Sequence, residues 1–317
     1  MTISAPVVSV LCLAYRHEAF LAQAIESVLM QQTDFEVELV IGEDASPDGT
    51  QAIALDYARR YPGRVRVLAH PRNLGLTGNL LATLAACTGE FIALLGGDDY
   101  WTDPSKLQRQ VRALWQRPQC GLCFHDAEIF QDDGSQPVTT FRQKFPAVLG
   151  EVEEEKEFTH ADLARLNWFI PAASLLLRAA SLPRPLPAWF AGVFSEDYTL
   201  TLLSTRSGSA LYLPRLMSRY RLHAGGLLQV TNNTLAQNAK RIFENEHYCR
   251  EFTPALRPHF EKYLEHLYFE RSVKLGATGQ RAGQLYFYWK AISISRARLR
   301  HHLRRLGSRL WGREETV

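Results

Sequence analysis

The chain has 317 residues, of which 46% are hydrophobic and 22% are charged, a balance typical of soluble globular proteins. The formal net charge of +3 is unevenly distributed, because residues 281–317 carry a charge of +7 and the remainder carries −4. This distribution argues against nucleic-acid binding by residues 1–280. Any anionic partner is expected to bind the basic C-terminal segment.

The cysteines number five, and an odd number favours reduced thiols over a disulfide framework. Cys120 and Cys123 have C-x-x-C spacing, but no second cysteine pair or nearby histidine pair completes a zinc site in the sequence. We expect these thiols to be core residues. The N-terminus lacks a basic signal-peptide region and no apolar run reaches 18 residues, so a cytoplasmic protein is expected.

The first part of the chain alternates between strand and helix patterns. Apolar runs predict strands at 7–13, 37–41, 65–68 and 91–95. Helical spacing of apolar residues predicts helices at 20–29, 52–61, 80–86 and 106–115. This alternation predicts an α/β fold with a mostly parallel central sheet and helices on both faces. Ligands of such sheets lie beyond the carboxyl ends of the strands.

The second part is less regular. A strand is predicted at 121–125, whereas residues 131–159 are charged and predict a solvated insertion or loop. Strand-like segments at 168–177 and 211–220 flank a helical segment at 198–205. Helical character then extends from about residue 234. We place a domain boundary near residue 230, which gives a first domain at 1–230 and a C-terminal helical region at 231–317.

Two adjacent carboxylates, Asp98 and Asp99, follow the fourth predicted strand directly. Gly96 and Gly97 allow a sharp turn before them and a close approach by a bulky ligand. Two neighbouring carboxylates are costly unless a cation neutralises them, and Mg²⁺ or Mn²⁺ bound to a diphosphate is the natural partner. A solvated acidic turn is the alternative interpretation.

Polar residues also follow the first two strands, so several loops should meet in one crevice. Asp44 could accept a hydrogen bond from the imide N–H of uracil or thymine, and Tyr15 could stack on a base. Arg72 and Asn73 could reach the base or the phosphates. Taken singly, each of these residues is equally well explained by a structural role, such as an Asx turn at Asp44.

Other phosphate-binding motifs are missing from the sequence. No Walker A loop occurs, and residues 13–17 lack the glycines of a dinucleotide fingerprint after the first strand. The sequence therefore lacks the main motif that would support hydride transfer with a nicotinamide cofactor. Metal-assisted phosphate binding at Asp98 and Asp99 remains possible, because it needs neither motif.

Together the motifs resemble those of the family 2 glycosyltransferases, inverting nucleotide-sugar enzymes of the GT-A fold. The resemblance covers roughly residues 6–130, and Ala14 departs from it where many members have threonine. The motifs are Ala14-Tyr15-Arg16-His17-Glu18, Glu43-Asp44-Ala45-Ser46-Pro47-Asp48-Gly49-Thr50, Asn73-Leu74-Gly75 with Asn79, Gly97-Asp98-Asp99-Tyr100-Trp101 and Asp103-Pro104-Ser105-Lys106-Leu107.

The resemblance implies a role for each of these positions. Asp44 would bind the base, Tyr15 would stack on it, Asp98 would contact the ribose or sugar, and Asp99 would ligate Mg²⁺ or Mn²⁺. The nucleotide-sugar-binding set is thus predicted as Ala14, Tyr15, Arg16, Asp44, Arg72, Asn79 and Asp98.

An inverting transfer also needs a general base, and the sequence from Phe194 to Tyr198 resembles the family's acidic base motif. Asp197 is the predicted base and Glu196 the nearby alternative. The competing interpretation is that both acids simply occupy the positive end of a helix.

Further along, the segment from Tyr220 to His223 resembles a Tyr-Arg-x-His element of the family. His223 is predicted as a ligand of the metal or a contact of the diphosphate, with a structural loop residue as the alternative. Arg221 would serve the same anionic site or pair with an acidic neighbour. His125 and Asp126 are further candidates on the acceptor side.

The C-terminal segment combines aromatic and leucine residues with many arginines. Such a basic amphipathic helix suits an anionic membrane surface, so 281–317 is predicted to dock the protein on the inner face of the cell membrane. A helix that packs on the protein, or a dimer contact, is the alternative. The residues behind the prediction are Leu285, Tyr286, Phe287, Tyr288, Trp289, Leu299, Arg300, Leu303, Arg304, Arg305, Leu306, Leu310 and Trp311.

The sequence therefore predicts a glycosyltransferase that moves a sugar from a nucleotide diphosphate donor to a glycan or lipid-linked glycan, and the family resemblance implies a UDP-sugar as the donor. Bacterial surface polysaccharide synthesis is the implied setting. A nucleotidyltransferase is the alternative enzyme, but residues 13–20 supply no glycine- and lysine-rich phosphate loop. A third possibility, which is not an enzyme, is an inactive protein that binds a sugar nucleotide. The presence of Asp98, Asp99 and Asp197 argues against it.

Overall fold

The computed structural model describes residues 7–135, 138–150, 152–226 and 234–310, with side chains described as far as residue 296. The first strands and helices alternate as the apolar pattern predicts. They are β1 Val8–Ala14, α1 Leu21–Leu29, β2 Val37–Glu43, α2 Thr50–Arg60, β3 Val65–Ala69, α3 Gly75–Ala86, β4 Phe91–Gly96, β5 Tyr100–Trp101 and α4 Lys106–Gln116.

The central sheet is built around β1, which pairs in parallel with β2 on one side and β4 on the other. β3 pairs in parallel with β2. Val8, Val10 and Cys12 of β1 are fully buried, because helices cover both faces of a sheet of this kind. The carboxyl ends of β1, β2 and β4 consequently meet at one edge.

The second part of the sheet is mixed. Its elements are β6 Cys120–Gln131, β7 Thr139–Thr140, α5 Phe141–Lys144, α6 Pro146–Leu149, β8 Lys156–Thr159, α7 His160–Leu166, β9 Leu176–Arg178, α8 Glu196–Ser204 and β10 Ser209–Leu222. The strand order is β3-β2-β1-β4-β9-β6-β10-β5. β6 and β10 run in parallel, whereas β9 is antiparallel to both β4 and β6.

Two predicted segments differ from the structure. Residues 131–159 are not a simple loop, because β7 pairs with β6, β8 pairs with β10, and Phe141 of α5 is buried in a cluster with Ala127 and Ile129 of β6. A Thr140–Gln143 capping box starts α5. The predicted strand at 168–177 is mostly irregular, with a 3₁₀ turn at Ala172–Ser174 before the short β9.

The cysteines are all unpaired thiols, as predicted, and all but Cys249 are buried. Burial raises the pKa of Cys87 and of Cys123 to about 12 each. Such thiols stay protonated at neutral pH, so they act as small apolar core residues.

The chain divides into two compact units, Met1–Ala191 with Ser195–Asn232, and Gly192–Phe194 with Asn233–Val317. The predicted boundary near residue 230 lies outside the described residues. The second unit consists of α9 Leu235–Glu251, α10 Arg257–Ala277 and α11 Arg281–Leu310. Its core contains Ile242, Leu264, Leu267, Tyr268 and Ala291.

A capping box between Thr234 and Gln237 starts α9, and Pro258 lies in the first turn of α10, where its missing N–H costs nothing. Gly279, with φ of 76°, supplies the left-handed residue between α10 and α11. Across the described ranges, no helix combines the length and apolar character needed to cross a bilayer.

Candidate functional site

The loops that follow β1 and β2 are joined by hydrogen bonds. The Arg16 N–H donates to Ser46 Oγ at 3.1 Å, and the His17 N–H donates to Thr50 Oγ1 at 2.8 Å. Arg16 and Ala45 have φ values of 59° and 54°, a left-handed conformation that is costly for residues with a side chain. Two loops predicted separately from the sequence therefore form one strained ridge at the edge of the sheet.

Asp44 connects this ridge to the loop that follows β3. Its Oδ1 accepts the Leu74 N–H at 2.7 Å and its Oδ2 accepts the Gly75 N–H at 3.0 Å. The Asn73 amide donates to the Asp44 carbonyl at 3.2 Å. Asp44 is almost fully buried, so its carboxylate shapes the loop beside the exposed Arg72.

Two of the predicted nucleotide-binding residues, Asn79 and Ala14, make contacts inside the fold. The Asn79 amide donates to the Gly42 carbonyl at 2.8 Å, and its Oδ1 is 3.0 Å from His70 Nε2. Ala14 is buried, and its carbonyl accepts the Asp44 N–H at 3.0 Å. Both residues are buried, so these contacts hold together the backbone of β1, β2 and α3.

Tyr15 and Arg16 remain accessible at the crevice. The Tyr15 ring is 38% exposed, and the Arg16 guanidinium lies 5.4 Å from the ring centroid. An exposed ring with a cation beside it can stack on a base and approach phosphate oxygens.

The acid pair follows β4 through Gly96 and Gly97, which leave no room for side chains. A Cβ at Gly96 would lie 2.5 Å from Asp98 Oδ1, and one at Gly97 would lie 2.7 Å from His17 Nδ1. Asp98 Oδ2 is 3.3 Å from His223 Nε2 and 3.8 Å from His17 Nε2. The structure therefore gathers one carboxylate and two imidazoles at this turn.

The two carboxylates of the pair have opposite electrostatic environments. Burial opposes ionisation of Asp98, but the His223 hydrogen bond and the neighbouring His17 lower its pKa. Burial and the negative charge of Asp98 raise the pKa of Asp99 well above its usual range. Asp99 Oδ1 accepts the Arg221 N–H at 2.9 Å. Asp98, with 23% of its side chain exposed, is thus the member with the lowered pKa, and Asp99 is the buried member.

The fit of a divalent cation can be judged from these donors. Within the described ranges, no group of three or more His, Cys, Asp or Glu residues is arranged around a metal position. Mg²⁺ in nucleotide sites commonly takes only one or two protein carboxylates and completes its shell with phosphate oxygens and waters. Asp98 supplies one such carboxylate, and His223 beside it adds an imidazole nitrogen. His17 Nδ1 is buried without a hydrogen-bond partner in the part of the chain that is described.

Arg221 holds the acid turn in place. Its Nε donates to the Asp98 carbonyl at 2.9 Å, it donates to Gln23 Oε1 at 2.6 Å, and it pairs with Asp132. Its guanidinium carbon lies 4.6 Å from the Phe20 ring centroid. Only 8% of the side chain is exposed. Its contacts therefore stabilise the protein rather than face the crevice.

The predicted base motif begins α8. Asp197 Oδ2 accepts the Trp168 indole N–H at 2.9 Å, and Oδ1 accepts the Tyr198 N–H at 2.8 Å. Burial raises the pKa of Asp197 despite these bonds. Glu196 is more buried, and its carboxylate accepts a hydrogen bond from Thr77. Asp197 is therefore the more accessible acid of the two.

Tyr220 lies on β10 directly before Arg221, whose N–H donates to Asp99. Burial raises the pKa of Tyr220, and the negative charges of Asp99, Asp98 and Asp197 raise it further.

His125 and Asp126 lie within the sheet instead. His125 is buried, its Nδ1 is 2.7 Å from the Asp126 carbonyl, and burial lowers its pKa well below the usual range. Asp126 Oδ1 accepts the N–H groups of Ala127 and Arg142 at 2.9 Å and 3.0 Å. Their predicted place at the acceptor side is not supported by these contacts.

Residues 9–165 match the family described as glycosyl transferase family 2. They form a family 2 glycosyltransferase domain. An uncharacterised protein of Mycobacterium tuberculosis is 34% identical to the chain over 219 residues, or 69% of this chain and 60% of that protein. The chain thus spans about 60% of the length of this curated relative.

Two solved structures show that the family 2 domain has the predicted GT-A fold. Staphylococcus aureus TarS 1-349 in complex with UDP-GlcNAc has a TM-score of 0.54 at 15% identity, over 92% of this chain and 91% of that one. The mannosyltransferase PcManGT from Pyrobaculum calidifontis, in complex with GDP-Man and Mn²⁺, has a TM-score of 0.56 at 15% identity, over 98% and 82%.

Three residues near these acids, His17, Tyr220 and Trp168, are absent from the set that the sequence predicts for the site. His17 stood in a recognised motif, so its position at the end of a strand was an available signal. Tyr220 also belonged to a noted element. Trp168 had no signal, because its partner Asp197 is 29 residues away and only the tertiary fold brings them together.

Proposed function

We propose that the protein is an inverting glycosyltransferase that transfers a sugar from a nucleotide diphosphate donor to a hydroxyl of a glycan. The observation that carries the proposal is the accessible Asp98 carboxylate beside His223 and His17, at the edge of a GT-A sheet. The two similar structures were solved with UDP-GlcNAc and with GDP-Man and Mn²⁺, which supports a nucleotide-sugar donor. A UDP-sugar is the first choice, and a GDP-sugar is the alternative.

Asp98 and His223 would hold Mn²⁺ or Mg²⁺, which would neutralise charge on the departing diphosphate as a Lewis acid. This assignment differs from the sequence expectation, in which Asp99 is the ligand. Asp99 is only 4% exposed, and its Oδ1 already accepts the Arg221 N–H at 2.9 Å. Its place behind Asp98 supports a positioning role.

The nucleotide would lie along the ridge formed by the loops after β1 and β2. Tyr15 would stack on the base, and Arg16 with the exposed Arg72 would approach the phosphates or the base. Asp44 would act by fixing the backbone of Leu74 and Gly75, and each of its oxygens keeps lone-pair capacity for one further donor.

Asp197 would act as the general base. It would take the proton of the acceptor hydroxyl as the hydroxyl oxygen attacks the anomeric carbon and the bond to the diphosphate breaks. A carboxylate whose pKa is raised by burial is a better base at neutral pH than an exposed one. Attack from the face opposite the leaving group inverts the anomeric configuration.

The acceptor would be a glycan, in a free or lipid-linked form, of a bacterial surface polysaccharide. Contact with an anionic membrane through 281–317 fits α11, whose sequence from 281 to 310 contains no Asp or Glu. Leu285 and Trp289, one turn apart, are 58% and 54% exposed. The expected contributions of Leu299, Arg300, Leu303, Arg304, Arg305, Leu306, Leu310 and Trp311 lie outside the residues whose side chains are described.

The membrane proposal is tested by co-sedimentation with vesicles of phosphatidylglycerol and phosphatidylcholine, against phosphatidylcholine alone. We expect binding to the anionic vesicles only, and a reduction in Leu285→Ser/Trp289→Ser. Equal sedimentation of the wild type and the double variant would reject this face as the contact. Leu55→Ser, an exposed leucine on α2, is the matched control.

The donor proposal is tested with a panel of UDP-N-acetylglucosamine, UDP-glucose and GDP-mannose, each with and without Mn²⁺. A bound donor stabilises the fold by mass action, so the true donor should raise the Tm in a Mn²⁺-dependent way. Slow release of nucleoside diphosphate to water then reports turnover. Retained binding with lost turnover in Asp197→Asn supports the enzyme, whereas no turnover in the wild type with any bound donor favours an inactive binding protein.

A further inference from the structure

Trp168 is the one side chain that donates a hydrogen bond to Asp197 among the residues that the structure describes. The indole Nε1 lies 2.9 Å from Asp197 Oδ2. Asn167, directly before it, has φ of 60°, so the backbone adopts a strained conformation where it turns out of α7 to present the indole. The hydrogen bond thus comes from a position that the fold fixes, rather than from a freely moving surface residue.

The Trp168 ring is itself held by other aromatic residues. Its centroid lies 5.6 Å from that of Phe141 and 6.2 Å from that of Phe145, both in edge-on arrangements. Phe141 is fully buried. The indole therefore has little freedom to follow a moving carboxylate, and the carboxylate must take the orientation that the indole offers.

The other charged and titratable groups that the structure describes near Trp168 and Asp197 form no comparable contact with this carboxylate. The hydrogen bond from Trp168 is therefore the main specific side-chain contact of Asp197. Glu196 on α8 accepts a hydrogen bond from Thr77, and the negative charge of Asp197 helps to raise the pKa of Tyr220 on β10. The Lys144 ammonium on α5 lies 5.8 Å from the Trp168 ring centroid. No Lys, Arg or His within the described ranges forms an ion pair with Asp197.

We propose that Trp168 is a positioning residue for the general base, and this inference rests on the proposed function of Asp197. The indole N–H fixes one carboxylate oxygen, and the Tyr198 N–H holds the other, so the remaining lone pairs point toward the acceptor hydroxyl. The same bond stabilises the ionised carboxylate, the form that accepts the proton.

The test removes the N–H and keeps the ring. Trp168→Phe, and replacement of Trp168 by 3-benzothienylalanine, which preserves the indole shape without the N–H, should both raise the pKa of Asp197. The acid limb of the pH profile for nucleoside diphosphate release should move up by about one pH unit. At pH values below the pKa of the acid limb, turnover should fall about tenfold, and it should recover at higher pH. The KM for the donor should stay the same.

The matched control is Trp115→Phe, because the Trp115 indole also donates to a carboxylate, Glu90, at 3.2 Å but is far along the chain from α8. Its pH profile should equal that of the wild type. An unshifted acid limb in both Trp168 variants would overturn the inference. A uniform loss of turnover at every pH would also overturn it, since that result indicates a packing role.

A second readout does not depend on the donor. The fluorescence of Trp168, taken as the difference between the wild type and Trp168→Phe, should titrate with Asp197 and lose that transition in Asp197→Asn. Persistence of the transition in Asp197→Asn would contradict the pairing. If Asp197→Asn keeps full turnover, the proposed function of the base fails. If Asp197→Asn is inactive but the Trp168 variants show no shift, only the positioning role fails.

Discussion

Arg221 gives the most quantitative prediction about how the acid pair is held. Its guanidinium donates to the Asp98 carbonyl and to Gln23 and pairs with Asp132, with only 8% of the side chain exposed. Lysine would keep the charge, but a single ammonium cannot serve acceptors arranged around a planar fork. We expect Arg221→Lys to lose two charge-assisted hydrogen bonds, worth about 1.5–3 kcal/mol each before relaxation.

After partial relaxation, a net loss of about 3 kcal/mol in the free energy of unfolding is expected. For a domain of this size it corresponds to a fall in Tm of about 6–12 °C. Guanidinium denaturation followed by near-ultraviolet circular dichroism measures the change. Donor binding to Arg221→Lys should also no longer depend on Mn²⁺, because the turn that contains Asp98 is no longer fixed.

Arg219→Lys is the matched control. Arg219 lies on the same strand, pairs with Glu128 and donates to the Tyr100 hydroxyl at 3.0 Å, but about a third of its side chain is exposed. Exposed pairs of this kind contribute less than about 1 kcal/mol. If Arg221→Lys were as stable as the wild type to within about 1 kcal/mol, or lost no more than Arg219→Lys, the reasoning would be refuted.

Two further predictions concern buried polar groups. Burial lowers the pKa of Lys106 to about 7, whereas the unfolded chain keeps this proton to about pH 10.4, so the unfolding free energy should rise between pH 7 and 9 by up to about 1.4 kcal/mol per unit. The Trp101 ring, 3.9 Å from Lys106 Nζ, favours the charged form and reduces that slope. Lys106→Met should abolish the rise, measured by denaturation at pH 7, 8 and 9. If the unfolding free energies of the wild type and Lys106→Met changed in parallel with pH, the lowered pKa of Lys106 would be contradicted. Asp44→Asn should cost about 2 kcal/mol of stability, since one amide oxygen cannot replace two carboxylate oxygens at the Leu74 and Gly75 N–H groups. Its UDP affinity should fall with it, measured by calorimetry, and unchanged stability would show that the loop does not need the carboxylate.

The first half of the fold could be predicted from the sequence because its signals are local. A strand buried on both faces must be apolar along its length, as β1 and β4 are, and the helices between them repeat apolar residues at helical spacing. The same regularity placed Asp98 and Asp99 at a strand end. The convergence of the loops near Tyr15 and Asp44 followed from the parallel arrangement alone.

The remaining features depend on contacts between distant segments. Residues 131–159 form strands only because β6 and β10 offer edges to pair with. The Asn79 amide bridges α3 to the Gly42 carbonyl of β2, a contact between residues 37 positions apart in the chain. Which acid of the pair would bind the cation depends on which carboxylate contacts His223. No local sequence pattern contains that information.

The cation and diphosphate site is tested most directly by calorimetric titration of UDP and GDP into the protein with and without Mn²⁺. Wild-type protein should bind one of the two nucleotides more tightly with Mn²⁺, and Asp98→Asn should lose that gain while keeping its fold. Asp103→Asn, an acid that pairs with Arg109, should keep the gain. A Mn²⁺ effect of equal size in the wild type and in Asp98→Asn would contradict the account.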